Sequence, residues 1–138
     1  MKEIFTALIT PFNQDQSIDY AGLYRIMDKL IEEGNKSFLL CGTTGETSTL
    51  KLDERRLLVE NILEKYPQIR VIVGISSNST SQVIRHINMY KDNPRIYAYL
   101  VIVPYYIKPS QSGIFKHFDL IASSTDKKIM IYNIPSRC

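Results

Sequence analysis

The sequence predicts an α/β fold in which parallel strands are joined by covering helices. Two observations carry this. Short apolar runs and segments of helical periodicity take turns along all 138 residues. The residues just past several of these runs are rich in hydroxyl side chains, at the end where parallel sheets place their ligands. Composition agrees: hydrophobic residues at 44% and charged residues at 22%, with 6 glycines and 6 prolines, describe a single globular domain over residues 1–138.

The predicted strands are residues 5–10, 37–42, 71–76, 98–104 and 129–135. Between the first two, Asp19 serves as N-cap, with Ile18 and Leu23 placed as a hydrophobic staple. Leu23, Ile26, Met27, Leu30 and Ile31 then mark one helical face, which ends at Gly34. The second helix starts at Asp53 and buries Val59, Ile62, Leu63 and Tyr66 before Pro67 stops it. The third begins at Ser79, with Gln82 completing a capping box. It shows Val83, Ile87 and Tyr90 inward and ends at Asn93-Pro94. The fourth runs from about Ser110 to Ala122 with Ile114, Phe118, Ile121 and Ala122 inward, and Gly113 weakens its first turn by about 1 kcal/mol relative to alanine.

Five strands in this length fit a doubly wound domain of the flavodoxin type, which length alone favours, and they also fit the opening portion of an eight-stranded barrel of about 250 residues. The last predicted strand has no helix after it. In an open sheet one of its apolar faces would lie bare, so the chain is expected to be an interrupted one.

The 17 Lys and Arg against 14 Asp and Glu leave +3 without any basic run, which argues against nucleic-acid or membrane-surface binding. Two cysteines, Cys41 and Cys138, are too few for a disulfide framework, and Cys41 lies in an apolar run where a small buried thiol is common. The amino-terminal apolar stretch is cut short by Thr10-Pro11, too brief for a membrane span. A cytoplasmic protein without membrane contact is expected. No metal cluster or Cys-His pair is evident. His86 and His117 fall in helices at positions that a barrel turns toward solvent, which argues against catalytic or metal roles for them.

The candidate chemistry lies past the strand ends. Gly42-Thr43-Thr44-Gly45-Glu46 can close backbone N–H groups and hydroxyls on a carboxylate or phosphate, or can simply be a tight turn with Glu46 solvated. It is not a nucleotide P-loop, because no lysine follows its second glycine. Tyr105-Tyr106 and Tyr132 offer phenols to a site, or serve as packing residues with wet hydroxyls. Arg137 can clamp a carboxylate through two parallel hydrogen bonds or make a surface ion pair.

The strings Gly42 to Glu46 (GTTGE), Val103 to Tyr106 (VPYY) and Tyr132 to Arg137 (YNIPSR), with Ala7 to Phe12 (ALITPF) before them, resemble the dihydrodipicolinate synthase family in order and spacing across the chain. The resemblance implies a (β/α)8 TIM barrel of which this chain supplies roughly the first five strands and four helices. It implies a lyase of lysine and diaminopimelate biosynthesis that holds pyruvate as a Schiff base on a lysine and condenses it with L-aspartate 4-semialdehyde. On that likeness Thr43, Tyr106 and Tyr132 are the catalytic proton relay, and Tyr106 reaches in from a neighbouring subunit. Thr44 and the adjoining amides hold the pyruvate carboxylate, and Arg137 receives the aldehyde substrate's carboxylate. No cofactor or metal is implied, and the assembly is a homo-oligomer, a tetramer built from tight dimers.

The likeness has departures. Related pyruvate-dependent aldolases, acting on sialic acid or keto sugar acids, usually carry serine for the first threonine and lack the arginine, so Thr43 and Arg137 favour the synthase. Leu52 and Arg55 stand where lysine-inhibited members often carry histidines. The Schiff-base lysine belongs to the strand after this chain's last, and none of the lysines here takes its place. A noncatalytic, carboxylate-binding half-barrel is the alternative expectation.

Overall fold

The computed structural model describes residues 3–136. Five parallel strands form one sheet in chain order: β1 (Thr6–Ala7), β2 (Ser37–Leu40), β3 (Arg70–Ile75), β4 (Ile96–Ile102) and β5 (Lys128–Tyr132). Four helices alternate with them: α1 (Tyr20–Glu32), α2 (Leu52–Lys65), α3 (Thr80–Asn88) and α4 (Gln111–Ala122). The sequential order decides between the two architectures. A flavodoxin-type sheet reverses its strand order at a switch point and carries helices on both faces, whereas a barrel adds each strand beside the last with all helices outside.

All four helices here feed one apolar cluster. Leu23 and Met27, Ile62 and Leu63, Val83 and Ile87, and Phe118 and Ile121 join Phe38, Leu40, Val71, Val73, Tyr99 and Val101 from the strands. Because successive strand residues point to opposite faces, Leu39, Ile72, Leu100 and Met130 belong to the other face. That face is concave. Phe5, just ahead of β1, stacks on Tyr97 of β4 with ring centroids 6.0 Å apart, although β2 and β3 lie between their strands. The sheet is thus an arc of barrel wall. On β5, which among the described residues pairs only with β4, Ile131 is 57% exposed.

The helix boundaries follow from their caps. Asp19 Oδ1 accepts the Gly22 N–H at 2.9 Å at the start of α1. Its end is a Schellman turn: Asn35 N–H donates to Leu30 O and Gly34 N–H to Ile31 O, each at 2.9 Å, with Gly34 at φ +95. Lys51, rather than a residue nearer Asp53, caps α2, and the Glu54 carboxylate accepts the Lys51 N–H at 2.7 Å. Ser110 Oγ accepts the Gly113 N–H at 3.2 Å, so the glycine of α4 sits where the cap holds it.

Several expectations are corrected, among them Ala122, expected inward on α4 but exposed. The Ser79–Gln82 capping box does not form, because Ser77 takes both partners: its hydroxyl donates to Gln82 Oε1 at 2.9 Å and accepts the Ser79 N–H at 3.1 Å. His117 does not face solvent. It is 4% exposed, with Nδ1 2.8 Å from Thr80 Oγ1 across the α3–α4 contact and its ring edge-on to Phe118. Strand ends are also shorter than the apolar runs. The β4–β5 pairing ends at Ile102 and Tyr132, with the Val103 N–H donating to the Tyr132 carbonyl at 3.1 Å as its last bond.

Gly74 marks the tightest backbone approach, since a Cβ there would lie 2.3 Å from the Cys41 carbonyl oxygen. Cys41 is itself at φ 55, and burial pushes its thiol up to about 12, as suits an inert core residue. Gly74→Ala is therefore expected to destabilise the protein by about 3 kcal/mol, read as a lower denaturant midpoint; an unchanged midpoint would show that β2 and β3 can part at no cost.

Burial also lowers the His117 pKa, offset only in part by the Ile102 backbone carbonyl. The unfolded chain then takes up the proton first as pH falls. Stability is full above about pH 6.5 and declines below it. Unfolding midpoints at pH 8 and pH 5.5 should show this decline, and His117→Gln should flatten it; an unchanged slope in that variant would exclude His117 as its source.

Candidate active site

The loop after β2 is built from small, turn-forming residues. Gly42 O accepts the Gly45 N–H at 3.1 Å and the Thr47 N–H at 3.4 Å, and Thr43 O accepts the Glu46 N–H at 3.1 Å. Thr10, buried past the end of β1, donates its hydroxyl to Gly45 O at 2.8 Å. The approach is close, since a Cβ on Gly45 would stand 2.9 Å from Leu8 O. The tight-turn reading of this loop is therefore correct. The Thr43 and Thr44 amides have no acceptor among the described residues, and both side chains are exposed.

Beside this loop lies a cavity of about 380 Å³ whose lining includes Thr43, Arg55, Ser76, His86 and Tyr105. His86, expected at a solvent-facing position, is half-buried there. Burial, then Arg55 and Arg85, lower its pKa. A second cavity of about 320 Å³ opens between the ends of β4 and β5, lined by Val103, Lys108 and Asn133 among others.

The candidate relay residues share one end of the sheet but are not in contact. Tyr132 is the last residue of β5, level with Ile102 of β4, and its carbonyl accepts the Val103 N–H at 3.1 Å. Thr43 lies beyond the end of β2, two strands away from β4. No hydrogen bond joins the side chains of Thr43, Tyr106 and Tyr132 among the described residues. Tyr106 is 89% exposed at φ 70, and the tyrosine that lines a cavity with Thr43 is its neighbour Tyr105. Arg137 lies outside the described residues. Among the described residues, no cluster of His, Cys, Asp and Glu suits a metal ion, and no helix is long and apolar enough to cross a membrane.

A sequence profile of the Dihydrodipicolinate synthetase family matches residues 1–138. The chain belongs to that family. A relative in Leuconostoc citreum named 4-hydroxy-tetrahydrodipicolinate synthase is 38% identical over 135 residues, 97% of this chain and 46% of the relative. The crystal structure of dihydrodipicolinate synthase from Aquifex aeolicus superposes with a TM-score of 0.89 at 37% identity, over 96% of this chain and 45% of that one. That of the chloride-inhibited enzyme from Acinetobacter baumannii complexed with pyruvate gives 0.91 at 34% identity, over 96% and 46%. The chain spans about half the length of the family members it matches. The five strands and four helices are thus a contiguous arc of the family's TIM barrel.

Reasoning from the sequence missed Thr10 as a site-forming residue. Its signal was its place at the end of the first apolar run, which was read only as a break before Pro11. Removing its hydroxyl strands the buried Gly45 carbonyl. Thr10→Val should accordingly cost about 1–2 kcal/mol in chemical denaturation and speed amide exchange in residues 43–47; a midpoint equal to the parent's would mean the loop is held by its own turns.

Proposed function

We propose that this chain carries the proton relay and carboxylate-holding groups of a 4-hydroxy-tetrahydrodipicolinate synthase, in which pyruvate condenses with L-aspartate 4-semialdehyde. The observation that carries the reading is the GTTGE turn. It is held by Thr10 at the same end of the barrel arc as Tyr132 and Tyr105-Tyr106, in a chain matched by the family along its length. Thr44 and the two free loop amides hold the pyruvate carboxylate, and Arg137 takes that of the aldehyde. Thr43, Tyr132 and Tyr106 pass the protons. A phenol whose ordinary pKa is about 10 can relay a proton without keeping a charge when hydroxyls on either side lie within hydrogen-bond reach.

Tyr106 completes that chain from another copy of the protein. Its exposure of 89%, at a backbone angle that side chains rarely adopt, is a costly arrangement for a lone surface phenol and a sensible one for a residue covered by a neighbouring subunit. The Schiff-base amine comes from outside these residues. Lys127 Nζ donates to Asn93 O at 3.0 Å, and Lys128 Nζ donates to the Tyr97 hydroxyl at 3.0 Å, at the end of the sheet away from the GTTGE turn.

Two measurements test this. Borohydride reduction of the protein with pyruvate should leave its mass unchanged, and a covalently labelled lysine would overturn the placement of the amine. Joined to the remaining barrel of a relative, the chain should support synthase activity, with Tyr132→Phe lowering kcat by about 100-fold or more while KM for pyruvate changes little; equal turnover would remove Tyr132 from the relay.

A further inference from the structure

We propose that Thr10 is a positioning residue whose hydroxyl, acting through two intervening peptide groups, sets how strongly the Thr44 amide donates to a bound carboxylate. The inference rests on the reading of the GTTGE turn as the holder of the pyruvate carboxylate, and it adds a residue that touches no substrate.

A trans peptide unit carries its carbonyl and its N–H on opposite edges of one plane, so a unit that accepts a hydrogen bond on one side donates from the other. Two such units line up here. The Thr10 hydroxyl donates to Gly45 O at 2.8 Å. The N–H across that unit belongs to Glu46, and it donates to Thr43 O at 3.1 Å. The N–H across the next unit belongs to Thr44, and it has no acceptor among the described residues. An unbroken series that starts at a side chain past β1 thus ends in an open donor past β2.

Burial makes the series effective. Thr10 is 5% exposed and Gly45 is buried, and in such low-dielectric surroundings hydrogen bonds in a row polarise one another, each strengthening the next by about 10–30%. Position is fixed as well. A Cβ on Gly45 would stand 2.9 Å from Leu8 O and 3.3 Å from Thr10 Oγ1, so the turn is seated against the segment after β1 with little room to shift. The adjacent Thr43 amide provides a contrast. It belongs to the unit of the Gly42 carbonyl, which accepts the Gly45 and Thr47 N–H groups at 3.1 and 3.4 Å, and Thr10 makes no bond in that series. Loss of the Thr10 hydroxyl therefore weakens one of two neighbouring donors, whereas a general loosening of the turn alters both.

NMR of the isotope-labelled protein tests this, with pyruvate and, separately, acetate as probes. In Thr10→Val the Thr44 amide proton should move upfield while that of Thr43 holds its position, and carboxylate binding followed on these amides should weaken about threefold. Thr10→Ser, which keeps the hydroxyl, should restore both. The parent protein gives a reading that needs no variant: saturation with pyruvate should move the Glu46 amide proton downfield together with that of Thr44, because strengthening the last bond of the series strengthens the one before it. Equal shifts at Thr43 and Thr44 in Thr10→Val, undiminished binding, failure of Thr10→Ser to restore it, or a Glu46 signal indifferent to pyruvate would each overturn the role of Thr10 while leaving the carboxylate reading of the turn standing. Failure of the parent to bind either probe would overturn both together.

Discussion

Two parallel strands must be joined by a crossover that runs the length of the sheet, and when each new strand lands beside the last, every crossover falls on the same face. That constraint governs this molecule. The strand order β1-β2-β3-β4-β5 puts all four helices against one side, leaves the other side to curve inward, and delivers the loops after β1 to β4 to a single rim. Nothing in the individual strands requires the curvature. It is held by contacts that reach across the concave side, such as Phe5 on Tyr97 and the Glu3 carboxylate, which accepts from Arg70 at 2.6 Å and from Ser37 Oγ at 3.2 Å.

Strain gathers at the rim that carries the loops. Of the non-glycine residues with positive φ, Cys41 and Glu46 follow β2, and Tyr106 and Lys108 follow β4. Each such residue costs energy that the surroundings must over-determine. For the β2 loop the surroundings are visible: Gly74 admits the Cys41 carbonyl, and Thr10 holds Gly45. At Tyr106 the Ile107 N–H donates to the Tyr105 carbonyl at 2.9 Å, closing a tight turn around its positive φ.

Much of the fold was legible because short-range chemistry decided it. Asp19 and Gly34 bound α1 where side-chain capping and a left-handed turn require, and the apolar faces of α2 and α3 are buried as their spacing predicts. The misses share a cause, in that a nearby competitor won. Ser77 outbids Ser79 for Gln82, and Thr80 offers His117 a partner that pulls an imidazole inward. Sequence adjacency likewise could not say which of Tyr105 and Tyr106 turns toward Thr43. That choice rests on the backbone angle at Tyr106, which no composition rule fixes for a non-glycine residue.

The two ends of the arc divide their labour electrostatically. At the amino end, the cations find partners within the chain: Arg70 meets Glu3 and lies 4.8 Å from the centre of the Tyr97 ring, and Lys128 stands 4.6 Å from the same ring on the way to its hydroxyl. Phe5 and Tyr97 occupy the concave side there, so a polar ligand meets aromatic faces and satisfied charges. At the carboxyl end the reverse holds. Arg55 lacks a carboxylate, Thr47 lacks an acceptor, and the Thr43 and Thr44 amides point to none among the described residues. Unspent donors are thus concentrated at the rim of the loops after β2 and β3, with spent ones at the other. The electrostatic asymmetry of the arc is therefore set by where its donors remain unpaired as much as by which residues its motifs contain.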